Sequence, residues 1–123
     1  LALAAERPDY TEFRRAYHGA FRRQIPCDSR ETVPAALALV RIANGDPWQA
    51  AVLSANFGRD ADTIGCMAAA VCGALSGVSA ENQGRIAQLP GDALVRERAL
   101  AERLVAVRRR RIAIERAALD API

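Results

Sequence analysis

Lysine is absent from this 123-residue sequence, and all 17 of its Lys-plus-Arg positions are arginine. The formal charge of +3 therefore comes from guanidinium groups spread along the chain and from the cluster Arg108, Arg109, Arg110 and Arg111. Such a run follows a phosphate backbone only when its side chains share a face. Consecutive residues of a helix fan around its axis instead. Leu100, Leu104, Val107 and Ile114, with Val105 and Ile112 beside them, keep a helical apolar stripe through the cluster. Glu97, Glu102 and Glu115 are spaced for local pairing. The run reads as a solvated helix face, which argues against a nucleic-acid binder.

Other shortages exclude further classes. Aromatic residues make up only 5% of the chain, and there are three cysteines and one histidine. An odd set of Cys27, Cys66 and Cys72 gives no disulfide framework, and there is no CxxC pair. His18 cannot complete a zinc set, nor does its spacing from Cys27 argue for a nucleophilic pair. Buried free thiols in a reducing compartment are the expectation. No apolar run approaches the roughly 20 residues that span a bilayer: 33–40 is too short, and 68–75 is interrupted by Gly73. Residues 1–5 are followed at once by Glu6, Arg7 and Asp9, unlike a secretory leader. The expected location is cytoplasmic. Since residue 1 is Leu, not Met, a fragment or processed product is expected. No internal repeat, low-complexity linker or sustained strand alternation is present.

Alanine is abundant, which with so few aromatics favours closely packed helices over a sheet. The length supports one modest core. Residues 10–21 carry Phe13, Tyr17 and Phe21 at four-residue steps, the period of a helix face. A loop broken by Pro26 follows. Asp28 or Ser29 then caps a helix reaching about Ala43, with Pro34 tolerated in an early turn where its missing N–H leaves nothing unpaired. Asn44-Gly45 is a left-handed stop signal. Asp46-Pro47-Trp48 starts the next helix, to about Asn56. Another helix runs from Thr63 to about Leu75. Residues 79–92 are mixed, with Gly84, Pro90 and Gly91 as breakers and one helical turn at 86–89. A long amphipathic helix over about 93–119 completes an all-α chain.

Between the helices lies Asn56-Phe57-Gly58-Arg59-Asp60-Ala61-Asp62-Thr63-Ile64-Gly65. Two carboxylates and a hydroxyl fall within four residues, with Asp60 and Asp62 spaced so that a loop can aim both at one target. Asp and Thr are also ordinary N-cap residues. As ligands, their hard oxygens suit Mg²⁺ or Mn²⁺ rather than zinc. Small residues then follow, Ala68, Ala69, Ala70, Gly73, Ala74 and Gly77. They let other helices approach closely, and the expectation is that this helix is buried centrally, with the metal loop in the interior.

The order and spacing over 31–77 resemble the ADP-ribosylglycohydrolase family. Glu31-Thr32-Val33-Pro34-Ala35-Ala36 matches its preceding helix. Asn44-Gly45-Asp46 and the segment from Trp48 match its next turn and helix. Gly-Arg-Asp-Ala-Asp-Thr-Ile-Gly matches its C-terminal metal motif. The resemblance implies a compact orthogonal all-α helical bundle, with residues 1–123 either a single domain or the C-terminal part of a larger one. It also implies a hydrolase that cleaves the glycosidic bond of ADP-ribosylated protein or an ADP-ribosyl small molecule, using two divalent cations. Asp60 would bind one cation, Asp62 would bridge both, and Thr63 would add its hydroxyl. Arg59 stands where Gly is frequent in relatives, and would contact a substrate phosphate or pair with a neighbouring Asp.

One departure matters. The family's N-terminal Thr-Asp-Asp segment has no counterpart in residues 1–28, whose only carboxylates are Glu6, Asp9, Glu12 and Asp28. Two Asp and a Thr do not fill the coordination sphere of a hard cation, which takes about six oxygens or more. The chain is therefore expected to be the C-terminal half of the site, inactive until an N-terminal portion supplies the other ligands. The alternative is a non-catalytic, crystallin-like structural or binding module of the same fold.

Overall fold

The computed structural model describes residues 1–6, 9–89 and 91–120. Arg7 and Pro90, used above as a charge and a breaker, lie outside the described residues. Among those described the protein is all-α, with seven helices, no strand and 78% helix. Among the described residues, no helix is long and apolar enough to cross a membrane. The chain divides into two compact units, 1–80 and 81–123.

The first unit holds α1 (Ala2–Glu6), α2 (Tyr10–Phe21), α3 (Ser29–Ile42), α4 (Pro47–Phe57) and α5 (Ala61–Ser76). Short α1 went unread because five residues are too few to show a helical period. Three starts use an aspartate as cap. The carboxylates of Asp9, Asp28 and Asp46 accept from the N–H groups of Glu12, Arg30 and Gln49 at 2.9, 2.9 and 2.7 Å. At the end of α3, Asn44 and Gly45 both have positive φ, 51° and 76°, and the Gly45 N–H closes on the Val40 carbonyl at 3.1 Å. Any side chain at Gly45 would come within 2.9 Å of Ser76 Oγ.

Pro34 differs from the sequence expectation. With Asp28 as N-cap it is the sixth residue of α3, past the first turn, so the Arg30 carbonyl loses its helical donor. Arg30 is exposed, where water can serve that carbonyl instead.

The core is aromatic on one side and small on the other. Phe13 and Phe57 are fully buried and Tyr17 nearly so. The Tyr17 ring lies 5.5 Å from Phe13 and 5.6 Å from Phe57, centre to centre. Phe21, expected on the same stripe, rests against Tyr17 at 4.9 Å but is 40% exposed. From α3 come Ala35, Ala36, Ala38 and Leu39, and from α5 come Ile64, Ala68 and Cys72 at four-residue steps. Helices α4 and α5 approach closely: a methyl group at Gly65 would lie 3.3 Å from Ser54 Cβ.

α5 is not buried all round, as its small residues had suggested. It packs on α3 and α4 along one face, while Ala70, Val71, Ala74 and Leu75 are exposed on the rest. The small residues serve close approach to α4, not enclosure. The thiols follow the same division: Cys72 is buried, whereas Cys27 and Cys66 are exposed, against expectation.

The second unit contains most of α6 (Ala80–Ile86) and α7 (Ala93–Leu119). The mixed reading of 79–92 missed α6, in which Gly84 is tolerated; an exposed helical Gly costs only about 1 kcal/mol. An Arg85–Glu81 pair one turn apart spans it at 2.5 Å. α7 has the expected limits but not the expected amphipathic stripe. Arg96, Arg103 and Arg111 fall on the same arc as Leu100, Leu104, Val107 and Ile114, and all these side chains are exposed. Glu102 and Glu115 pair with Arg98 and Arg111 at 3.4 and 2.9 Å.

Candidate metal centre

The site starts where α4 stops. The Phe57 carbonyl, at the negative end of that helix, accepts from Arg14 Nε and His18 Nε2, both at 2.9 Å. A carbonyl can only accept, so Nε2 carries the proton. The other ring nitrogen, Nδ1, is buried without a partner. Next come two residues of positive φ, Gly58 at 84° and Arg59 at 65°. Glycine takes this region freely, whereas arginine rarely does.

A buried carboxylate holds Arg59. Glu31, in the first turn of α3, is fully buried. Its Oε1 accepts from Arg59 Nε at 2.7 Å, and its Oε2 from Arg59 Nη2 at 3.0 Å and from the Arg23 N–H at 2.7 Å. The same Nη2 donates to the Arg23 carbonyl at 2.5 Å. Arg59 hydrogen bonding holds the Glu31 carboxyl below its ordinary range, against burial, which pushes it up. The Tyr17 hydroxyl donates to the Glu31 carbonyl at 2.8 Å. Burial, with the Glu31 charge adding, raises that phenol to about 12.

Arg59 thus pairs with Glu31 and not with Asp60 or Asp62, and its Nε and one terminal nitrogen are occupied there. Sequence reasoning quoted Glu31 without placing it in the site. An acid in a helix's first turn reads as a capping residue, and its partner lies 28 positions away.

The three ligand candidates come together at the start of α5, though not in a loop. Asp60 is the N-cap, while Asp62 and Thr63 belong to the first turn of the helix. The loop argument for aiming side chains at one target reaches only Asp60, which precedes the helix; the direction of Asp62 is set by helical geometry. Asp60, like Asp92 ahead of α7, differs from the three aspartates whose side chains cap their helices. Its ψ is 55°, against 120° to 125° for Asp9, Asp28 and Asp46, and its side chain caps no backbone N–H. Instead Asp60 Oδ1 accepts from Thr63 Oγ1 at 3.0 Å. Asp60 is half-buried, and Asp62 and Thr63 are exposed. An open groove of about 430 Å³ between α4 and α5 borders Asp62, walled by Ala51, Ala55, Ala61, Gly65 and Cys66.

These donors fit a hard divalent cation by type and not by number. Two carboxylates and a hydroxyl are oxygen ligands of the kind Mg²⁺ and Mn²⁺ take. Among the described residues, no three His, Cys, Asp or Glu side chains are grouped to hold a metal. Two carboxylates and a hydroxyl leave most of such a cation's coordination sphere to other oxygens.

Comparison with known proteins places this segment. A protein of Escherichia coli (strain K12), YegU, itself uncharacterized, is 56% identical over 59 residues, which is 48% of this chain and 18% of that protein. The matched part thus spans under a fifth of that relative. No solved structure matches the chain. The ADP-ribosylglycohydrolase family matches over residues 1–113, nearly the whole length. Together with an all-α fold and an uncapped Asp-x-Asp-Thr segment opening α5, this establishes that the chain belongs to the ADP-ribosylglycohydrolase family.

Proposed function

We propose that this chain supplies the C-terminal half of a dinuclear Mg²⁺ or Mn²⁺ site in a hydrolase that cleaves a glycosidic bond of ADP-ribosylated protein or of an ADP-ribosyl small molecule. The observation that carries the reading is the Asp60 carboxylate. It sits at a helix start, yet leaves the backbone N–H groups alone and accepts only from Thr63. Asp9, Asp28 and Asp46 cap their helices from the same position, whereas Asp60 does not; the exposed Asp92 before α7 also leaves its helix uncapped, and the Asp-x-Asp-Thr setting is what distinguishes Asp60 from it.

In this reading Asp60 and Asp62 hold the cations and Thr63 adds its oxygen. Bound cations of this kind supply a polarised, easily deprotonated water and a fixed seat for substrate oxygens. The chain's own residues contribute position and charge. The N-terminus of α5 favours the anionic carboxylates, and the Thr63 hydroxyl fixes the rotamer of Asp60. The wall of Ala51, Ala55 and Gly65 leaves room beside Asp62. The remaining ligands come from an N-terminal portion of the enzyme, in the same or an associated polypeptide.

The test is release of ADP-ribose from an ADP-ribosylated protein, with Mn²⁺, by the chain alone and by the chain joined to the N-terminal portion of a family member. Activity is expected only for the joined protein, and Asp62→Ala should return it to the uncatalysed rate while leaving helical content intact. Turnover by the isolated chain would remove the half-site reading. Mn²⁺-independent folding with no turnover in the joined protein would favour the non-catalytic, crystallin-like module, a reading that the shortage of acidic ligands in this chain supports.

A further inference from the structure

We propose that Glu31 is a positioning residue for the metal segment: it fastens the left-handed turn at Arg59 from which Asp60, Asp62 and Thr63 are presented. The inference rests on the ligand reading above and adds a residue outside the Asp-x-Asp-Thr string.

Three observations carry it. First, Glu31 is fully buried, a costly place for a carboxylate unless its oxygens are matched. Both of them are, by two guanidinium N–H groups of Arg59 and one backbone N–H of Arg23. The two-point match suits the planar fork of arginine, and lysine would not reproduce it.

Second, Arg59 is the one residue between Gly58 and the N-cap Asp60, and its φ of 65° is unfavourable for any side chain. Such a conformation persists only where surroundings impose it. The pair with Glu31, with Nη2 also bonded to the Arg23 carbonyl, ties the Arg59 side chain to two other segments, the start of α3 and the loop after α2.

Third, the Asp60 side chain does not secure the start of α5. Its carboxylate makes no backbone cap, and the first helical bond runs from the Ile64 N–H to the Asp60 carbonyl, 3.0 Å. The geometry of that carbonyl depends on the residue before it. Glu31 is in turn held at its own main chain by the Tyr17 hydroxyl. The chain of support therefore runs from the aromatic core through Glu31 and Arg59 to the ligands.

The experiment uses the full chain with Glu31→Gln, and with E31Q/R59G and E31Q/R59A. Two quantities are read by NMR well below the unfolding temperature. One is amide exchange at Ile64 relative to Cys72, deep in α5. The other is the Mn²⁺ concentration that half-broadens the amides of residues 60–64. Glu31→Gln keeps the shape and removes the charge. It should speed exchange at Ile64 about tenfold relative to Cys72, and raise the Mn²⁺ half-point about tenfold, the scale of one left-handed penalty. E31Q/R59G should recover both to within about threefold, since glycine adopts this φ freely.

A purely structural Glu31 would lower protection at Ile64 and Cys72 together and leave the Mn²⁺ half-point of the folded protein unmoved. Either result overturns the proposal. Where E31Q alone does not fold, the two double variants decide, because both lack the buried charge pair: protection at Ile64 should survive with R59G and fall with R59A, and equal protection overturns the proposal. Where the half-site alone holds Mn²⁺ too weakly to broaden these amides, the Ile64-to-Cys72 ratio decides the role of Glu31, and an unchanged ratio overturns the proposal.

Discussion

Phe57→Ala should separate the core from its margin and show how firmly the metal segment is anchored. The ring is fully buried and meets Phe13, Tyr17 and His18 at 6.2, 5.6 and 4.6 Å. Its own carbonyl receives Arg14 and His18 just before the turn that leads to Asp60. Truncating a buried Phe to Ala costs about 3–5 kcal/mol, lost transfer energy plus the cavity left behind. A unit of 80 residues holds a total of roughly 4–12 kcal/mol. The substitution should therefore remove from a quarter of that stability to all of it.

Phe21→Ala is the control. Phe21 meets Tyr17 at 4.9 Å, closer than Phe57 meets the same ring, yet it is 40% exposed, so its truncation should cost about 1 kcal/mol on transfer grounds. Thermal unfolding followed by circular dichroism at 222 nm reads both. At about 4–8 °C per kcal/mol for a domain of this size, Phe57→Ala should lower the midpoint by about 12 °C or more, and Phe21→Ala by a few degrees. Equal shifts would refute the reasoning, because ring-to-ring distance, and not burial, would then be setting the energy.

The cysteines and Tyr17 give two further expectations. An aromatic disulfide reagent should label Cys27 and Cys66 quickly in the folded chain and Cys72 only after unfolding, since burial both shields the Cys72 thiol and pushes its ionisation up; three fast thiols would contradict the packing of α5. Tyr17 has a phenol raised from 10.0 to about 12, so the fold favours its neutral form. That stabilisation is whole below pH about 10 and is lost as pH rises towards about 12. Denaturation in urea at about pH 9 and about pH 11 should show an alkaline loss that Tyr17→Phe reduces, and an unchanged loss would place the titrating group elsewhere.

Most of the helical frame was legible because its punctuation is local. Asp28 and Asp46 mark starts, Asn44-Gly45 marks a stop, and the step from Phe13 to Tyr17 marks a buried face; each signal sits within a few residues of its effect. What was not legible depended on neighbours distant in sequence. The small residues of α5 announce close packing but not how many helices pack there, and only α3 and α4 do so closely. The apolar positions of α7 have helical spacing, yet spacing does not reveal that Arg96, Arg103 and Arg111 share their arc. Cys66 and Cys72 belong to one helix and differ in exposure because only Cys72 repeats the four-residue step from Ile64 and Ala68.

The metal segment shows the same limit in its sharpest form. Asp9, Asp28, Asp46, Asp60 and Asp92 are alike in sequence, each an aspartate opening a helix, and a cap is the reasonable reading of all five. What separates Asp60 from the three that cap is a ψ of 55°, which turns its carboxylate away from the helix's free N–H groups. That backbone angle follows a left-handed arginine, and the arginine is held by a glutamate two helices earlier, at the start of α3. An aspartate becomes available as a ligand here because its backbone has been prevented from using it as a cap. The family's frequent glycine before this aspartate would reach the same turn without assistance. With arginine in its place the turn needs Glu31, so substitutions at position 59 and position 31 should be felt together at Asp60.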